Sequence, residues 1–183
     1  LEKKTKVINM LGGSGLGKST TAAGLYHAMK LQGYNVELVR EYVKNWAWSG
    51  QKVNQYDQIY IFGKQARSEY MLYGKVDYII TDSPILLSPV YEKFYNDGFS
   101  MIEDAALKFL QKAHNNNVEH INFLLERKKK FNPEGRYETE EQAKEVDRQV
   151  KLFLDDNNIK YENIDCSDDE RISLIMGIIL NDR

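Results

Sequence analysis

Gly12-x-x-x-x-Gly17-Lys18-Ser19 sets glycines, a lysine and a hydroxyl at the spacing that grips a chain of phosphates. Gly13, Ser14, Gly15, Leu16 and Gly17 can turn their backbone N–H groups onto phosphate oxygens, because glycine leaves no side chain in the way. Lys18 reaches β and γ phosphates, the Ser19 hydroxyl can join a magnesium shell, and Thr20 carries the chain into a helix whose N-terminus favours anions. Ser14 needs to be small to fit inside the loop. The flanks agree: Val7–Leu11 is a strand-like apolar run, and Lys18 to about Leu31 is compatible with a helix. ATP and Mg2+ are therefore the expected cofactors.

Further groups of matching chemistry fall just after strand-like runs, where ligands of open α/β sheets bind. Glu41 follows Val36–Arg40 and suits a general base that takes a proton from an acceptor hydroxyl; an ion pair with Arg40 or Lys44 is the structural alternative. Asp82 follows Val76–Thr81 and suits a second magnesium ligand beside Ser19, the alternative being a helix cap ahead of Pro84. The segment 127–138 carries Arg127, Lys128, Lys129, Lys130 and Arg136 around Pro133 and Gly135, which suggests a mobile lid. Arg127 and Arg136 are its candidates for phosphate contact, since a guanidinium fork matches phosphate better than an ammonium does; a solvated loop is the alternative. On the acceptor side Tyr42, Trp46 and Trp48, with Gln65 and Arg67 further on, could stack and edge-bond a flat heterocycle. Core packing could account for several of these aromatics, and Phe62 is assigned to the core.

These groups need a scaffold of alternating strands and helices. After the first strand, loop and helix come the strand Val36–Arg40, one long amphipathic helix over 51–73 with Ile59, Phe62, Ala66 and Tyr70 on its apolar stripe, and the strand Val76–Thr81. A helix through Ile102–Ala113, the strand Ile121–Leu125, a helix capped by Thr139 and running to about Leu154, the strand Ile159–Ile164 and a last helix over Asp168–Leu180 complete the order. The expected fold is an open, mostly parallel five-stranded α/β sheet of the P-loop NTPase type, with helices on both faces and a lid, in a single domain over residues 1–183.

Composition fits that picture. The chain has 183 residues, 42% hydrophobic and 28% charged, as one soluble core requires. A formal net charge of −2 gives no general attraction to nucleic acid or anionic membranes. The single cysteine, Cys166, is on a strand-like stretch, has no histidine nearby in sequence and reads as an ordinary reduced thiol. No apolar run approaches a membrane span, and the polar start does not resemble a signal peptide. A cytoplasmic location is expected, and monomer and homodimer both stay open.

The phosphate loop, Val39-Arg40-Glu41-Tyr42, Thr81-Asp82-Ser83-Pro84 and Gly135-Arg136-Tyr137-Glu138-Thr139 together resemble the small AAA-type P-loop kinases, many of them phage-encoded. That group includes the ribosylnicotinamide kinase domain and is more distantly similar to deoxynucleoside kinases. The resemblance covers most of the chain, but only the phosphate loop is highly specific. It implies Glu41 as base, Asp82 as a magnesium-associated carboxylate and Arg127 with Arg136 as lid arginines. Tyr42 stands where the deoxynucleoside kinases have proline, and Asp82-Ser83 where they have Glu-Arg. The acceptor implied is a nucleoside, nucleotide or related small molecule. Kinases of hydroxymethylated pyrimidines in phage DNA belong to the same group and provide a second acceptor class, in which Lys44, Lys52, Lys64, Arg67 and Lys75 would flank an open cleft and the tryptophans would hold an extruded base. An ATP-gated regulatory ATPase is the alternative without an acceptor.

Overall fold

The computed structural model describes residues 3–54 and 56–181. The elements run β1 (Thr5–Leu11), α1 (Lys18–Leu31), β2 (Val36–Val39), α2 (Lys44–Trp48), α3 (Asp57–Tyr70), β3 (Tyr78–Thr81), α4 (Leu87–Tyr95), α5 (Glu103–Asn115), β4 (Val118–Leu125), α6 (Glu140–Asp156), β5 (Glu162–Ile164) and α7 (Asp168–Asn181). The five strands form one sheet in the order β2-β3-β1-β4-β5, and every pair is parallel.

Strand alternation divides the core between two faces. Ile8 and Met10 of β1, Ile80 of β3 and Phe123 of β4 pack with Leu25 and Met29 of α1 and Ile175 and Ile179 of α7. On the opposite face Leu11 and Leu124 meet Leu87 and Val90 of α4 and Val146, Val150 and Phe153 of α6, while Val7, Ile79 and Val118 meet Ala113 of α5. Buried on both sides, the strands read as continuous apolar runs. Asn9 and Asn122 interrupt them together: they are register partners, and the Asn9 amide donates to Asn122 Oδ1 at 2.8 Å.

The chain leaves β1 for β2 on one side of the sheet and leaves β3 for β4 on the other. A crevice therefore opens beyond the carboxyl ends of β1 and β3, bringing the phosphate loop and Asp82 together.

Three expectations need correction. The helix expected over 51–73 is confined to α3, Asp57–Tyr70, and a separate short helix, α2, stands before it at Lys44–Trp48. The buried face of α3 is Gln58, Ile61, Gln65, Ala66 and Glu69, whereas Ile59 and Tyr70 are exposed and Phe62 is half-buried, edge-on to Phe109. Polar side chains turn inward there because each faces a cavity or a hydrogen-bond partner, which an apolar periodicity cannot register. Second, α4 has no counterpart in the sequence reading. Its Pro89 stands in the first turn, where the missing N–H costs nothing. Third, Cys166 lies past the end of β5, half-buried and free. Among the described residues no helix is long and apolar enough to cross a membrane.

The start of α6 matches expectation closely. Thr139 Oγ1 accepts the Gln142 N–H and the Gln142 side chain accepts the Thr139 N–H, forming a capping box. Thr139→Ala should lower stability by about 1 kcal/mol, read as a lower urea midpoint with unchanged slope. An unchanged midpoint would show that α6 is held by packing alone.

Candidate functional site

The phosphate loop is braced from outside by three side chains. Asp147 of α6 accepts the Gly13 N–H on Oδ1 at 2.6 Å. Its Oδ2 accepts from Nε and Nη2 of Arg127 at 2.9 and 2.8 Å, and Nη2 also donates to the Ser14 carbonyl at 2.9 Å. Arg171 of α7, fully buried, donates to the Leu16 carbonyl at 2.6 Å. Gly13 permits this approach: a Cβ there would fall 2.5 Å from the Ala143 carbonyl oxygen. Burial raises the Asp147 pKa, and the Arg127 charge opposes that rise.

Within the loop, Lys18 Nζ donates to the Gly12 and Gly13 carbonyls at 2.8 and 2.6 Å. Burial lowers its pKa, against the opposing pull of Glu41, Asp82, Asp147 and Glu138. The Ser14 hydroxyl is buried and has no protein partner. An ammonium, an orphaned hydroxyl, and Ser19 and Thr20 on the same wall are donors in want of an anion, so the cradle fits the phosphates of ATP. Asp82 is 5% exposed and accepts the Glu41 N–H on Oδ1 at 2.8 Å. Among the described residues there is no group of three acidic, histidine or cysteine side chains able to hold a metal. Mg2+ at this site would thus take Ser19, Asp82 and the nucleotide's own oxygens, as a hard cation beside phosphates does.

Beyond the cradle lies a cavity of about 390 Å3. Glu41 enters it from the end of β2, and burial raises its pKa against the pull of Lys18. Gln58 and Ile61 of α3 form one wall, and Ser88, Tyr91 and Tyr95, spaced three and four apart on α4, form another. Burial holds the Tyr91 and Tyr95 hydroxyls well above the usual phenol range, so both remain donors. The Tyr95 hydroxyl donates to Glu138 Oε1 at 2.8 Å.

From the segment 127–138, Gly135, Arg136, Tyr137 and Glu138 line the cavity. Tyr137 Oη donates to the Gln51 carbonyl at 2.7 Å, and the Trp48 ring rests on Gly135, where a Cβ would fall 2.6 Å from the indole. With φ of 66°, Gly135 also takes a backbone conformation that other residues resist. Phe131 lies against Gly15 between the guanidinium groups of Arg127 and Arg136, 6.0 and 5.8 Å from its ring centre.

The structure brings Lys18, Glu41, Arg136 and the phosphate-loop residues Ser14, Gly15, Gly17, Ser19 and Thr20 to one cavity, with Asp82 directly behind Glu41. Leu16 is 2% exposed and belongs to the loop's underside. Arg127 is no swinging lid arginine here: the ion pair to Asp147 makes it part of the loop's brace. Lys128 and Lys129 are paired with Asp165 and Asp168, so the basic run is largely neutralised. The expected aromatic pocket is also displaced. Trp46 stacks on Tyr60 at 6.1 Å, the Tyr42 and Tyr60 hydroxyls share a hydrogen bond of 2.9 Å, and Lys64 lies over both tyrosine rings. These rings satisfy one another beside the cavity and do not line it. Trp48 contacts the lid instead, 66% exposed. Gln65 is buried against Thr81 Oγ1 at 3.3 Å, and Arg67 is exposed against Tyr70.

Asp147, Ser88, Tyr91, Tyr95 and Glu138 escaped the sequence reading. Glu138 was available, sitting inside the quoted segment after Arg136. The α4 residues required recognising that helix, and Asp147 required knowing which face of α6 meets Gly13.

A family model described as an AAA domain matches residues 7–171. No curated protein sequence matches the chain significantly. Among solved structures, a deoxyadenosine kinase from M. mycoides with products dCMP and a flexible dCDP bound is similar at 17% identity and a TM-score of 0.63, covering 96% of this chain and 99% of that one. A NadR protein in complex with NR is similar at 16% identity and a TM-score of 0.70, over 89% of this chain and 46% of that one. A thymidylate kinase from Ehrlichia chaffeensis is similar at 14% identity and a TM-score of 0.62, over 97% and 99%. At these identities the likeness establishes the fold.

Asp147→Ala removes one charge-assisted bond to the loop and frees Arg127. ATP affinity should fall by about tenfold or more, measured with a fluorescent ATP analogue. Unchanged affinity would show that the loop holds its shape without α6.

Proposed function

The chain belongs to the AAA domain family, and on that premise we propose that it is an ATP-dependent kinase that transfers the γ-phosphate to a hydroxyl of a nucleoside, nucleotide or related small molecule. The observation that carries this reading is the placing of Glu41 and Lys18 in one cavity, close enough for each to feel the other's charge. A carboxylate with a raised pKa is a stronger base than an exposed one. Glu41 takes the proton of the acceptor hydroxyl, the freed oxygen attacks the γ-phosphorus, and the bond from that phosphorus to the β–γ bridging oxygen breaks to release ADP. Lys18 and the backbone N–H groups of the loop balance the charge on the phosphates, and Arg136 stands at the cavity wall to do the same. Mg2+, when bound, contributes further charge neutralisation.

The lid supports transfer over hydrolysis. Trp48 on Gly135 and Tyr137 on Gln51 tie the lid segment to the chain around α2, and its closure over bound substrates would keep water from competing with the acceptor. The same closure favours a small acceptor over a base held in DNA. Trp46 and Trp48, the rings expected to hold an extruded base, do not line the cavity. The similar structures described as deoxyadenosine and thymidylate kinases point the same way.

Glu41→Gln keeps the shape of the side chain and removes the base. Turnover should fall at least about 100-fold, with ATP affinity unchanged within about twofold. Turnover equal to the wild type would remove Glu41 from the mechanism.

A further inference from the structure

Lys18, Glu41, Lys44, Lys52, Arg136 and Glu138 are the charged side chains that line the main cavity. Four cations face two anions there, so the wall is formally positive in a chain whose net charge is −2. Lys18 and Arg136 are spoken for by the phosphates of ATP in the reading above, and Glu41 by the proton it takes. The Glu138 carboxylate accepts from the Tyr95 hydroxyl. Lys44 and Lys52 are left over.

Both lysines come from one segment. Lys44 opens α2, Lys52 lies in the stretch between α2 and α3, and Val43, Ala47 and Val53 line the cavity with them. Lid contacts hold this segment: Tyr137 Oη donates to the carbonyl of Gln51, the residue before Lys52, and the Trp48 ring rests on Gly135. Elsewhere on the molecule lysines meet carboxylates, Lys30 with Glu37, Lys93 with Glu103, Lys128 with Asp165 and Lys129 with Asp168. Among the described residues neither Lys44 nor Lys52 has such a partner. Glu41 feels the charge of Lys44 as well as that of Lys18, without an ion pair to either. Water satisfies two ammoniums in an open cavity. Once a ligand and the lid exclude that water, the cations need an anion.

We propose that Lys44 and Lys52 form an anion subsite in the acceptor cavity, and that the acceptor is a nucleotide whose existing phosphate rests on these two ammoniums while a free hydroxyl is phosphorylated. The proposal rests on the reading of the cavity as the acceptor site. Glu41 takes the proton of the free hydroxyl, and that oxygen bonds to the γ-phosphorus. The bond from phosphorus to the β–γ bridging oxygen breaks, giving ADP and a doubly phosphorylated nucleoside. A neutral nucleoside leaves both cations without a partner and binds more weakly.

The test sets adenosine, cytidine and thymidine against their own 5′- and 3′-monophosphates, by isothermal titration with the nucleotide site saturated by MgADP. At least one monophosphate should bind about tenfold or more tighter than its nucleoside. Lys44→Met and Lys52→Met should each reduce that advantage, and the double variant should abolish it. A circular-dichroism melt checks folding. Lys52 is exposed, so Lys52→Met keeps the question decidable if the Lys44 variants do not fold. An advantage undiminished in folded Lys52→Met seats the phosphate elsewhere and overturns the subsite. Nucleosides that bind as tightly as their monophosphates overturn it too, and leave the kinase reading intact. A short single-stranded oligonucleotide that binds more tightly than every monophosphate would move the lysines to a nucleic-acid backbone and likewise overturn it. If no nucleoside or monophosphate binds while fluorescent ATP does, the subsite and the nucleoside-acceptor reading fall together.

Discussion

A half-buried ammonium governs this molecule. Taking the Lys18 charge out of water is expensive, and the cost is tolerable only if opposite charge and acceptors surround it. The Gly12 and Gly13 carbonyls take its protons. Glu41, Asp82, Asp147 and Glu138 supply the field, from the end of β2, the end of β3, the middle of α6 and the turn just before α6. Four separated segments must converge for one lysine to stay charged, and where they converge is the site. Parallel strand order makes that convergence possible, since it places the ends of β1, β2 and β3 along one edge of the sheet.

The second constraint is the stiffness of the phosphate loop. Glycines let it approach an anion but contribute nothing to its rigidity. Asp147, Arg127 and Arg171 supply that from outside, binding the Gly13 N–H and the Ser14 and Leu16 carbonyls. An arginine in a lid-like sequence context is here structural, because α6 presents a carboxylate within reach of it and the loop presents a carbonyl.

How much of this was legible in the sequence follows from the range of each interaction. The positions of the phosphate loop, Glu41 and Asp82 were readable because each depends on local context, the turn that follows a strand. The capping box of α6 was readable for the same reason. The acceptor pocket was not. Gln58 and Gln65 turn inward on α3 although a hydrophobic stripe predicts the neighbouring face, and α4 carries a proline in its first turn. Tyr42 and Trp46 looked like pocket residues by composition, but they pack with Tyr60, 14 residues beyond Trp46, through contacts that sequence spacing does not encode.

Cavity, base and lid acquire a common purpose only if phosphate moves to an acceptor and is not lost to water. That is decided most directly by incubating the protein with γ-labelled ATP and Mg2+ and a panel of nucleosides and nucleotides, then separating the products. Label recovered on the hydroxyl of one acceptor, as a new phosphate ester, is the predicted result. Label appearing solely as inorganic phosphate, whatever acceptor is offered, would contradict it and make the protein an ATPase.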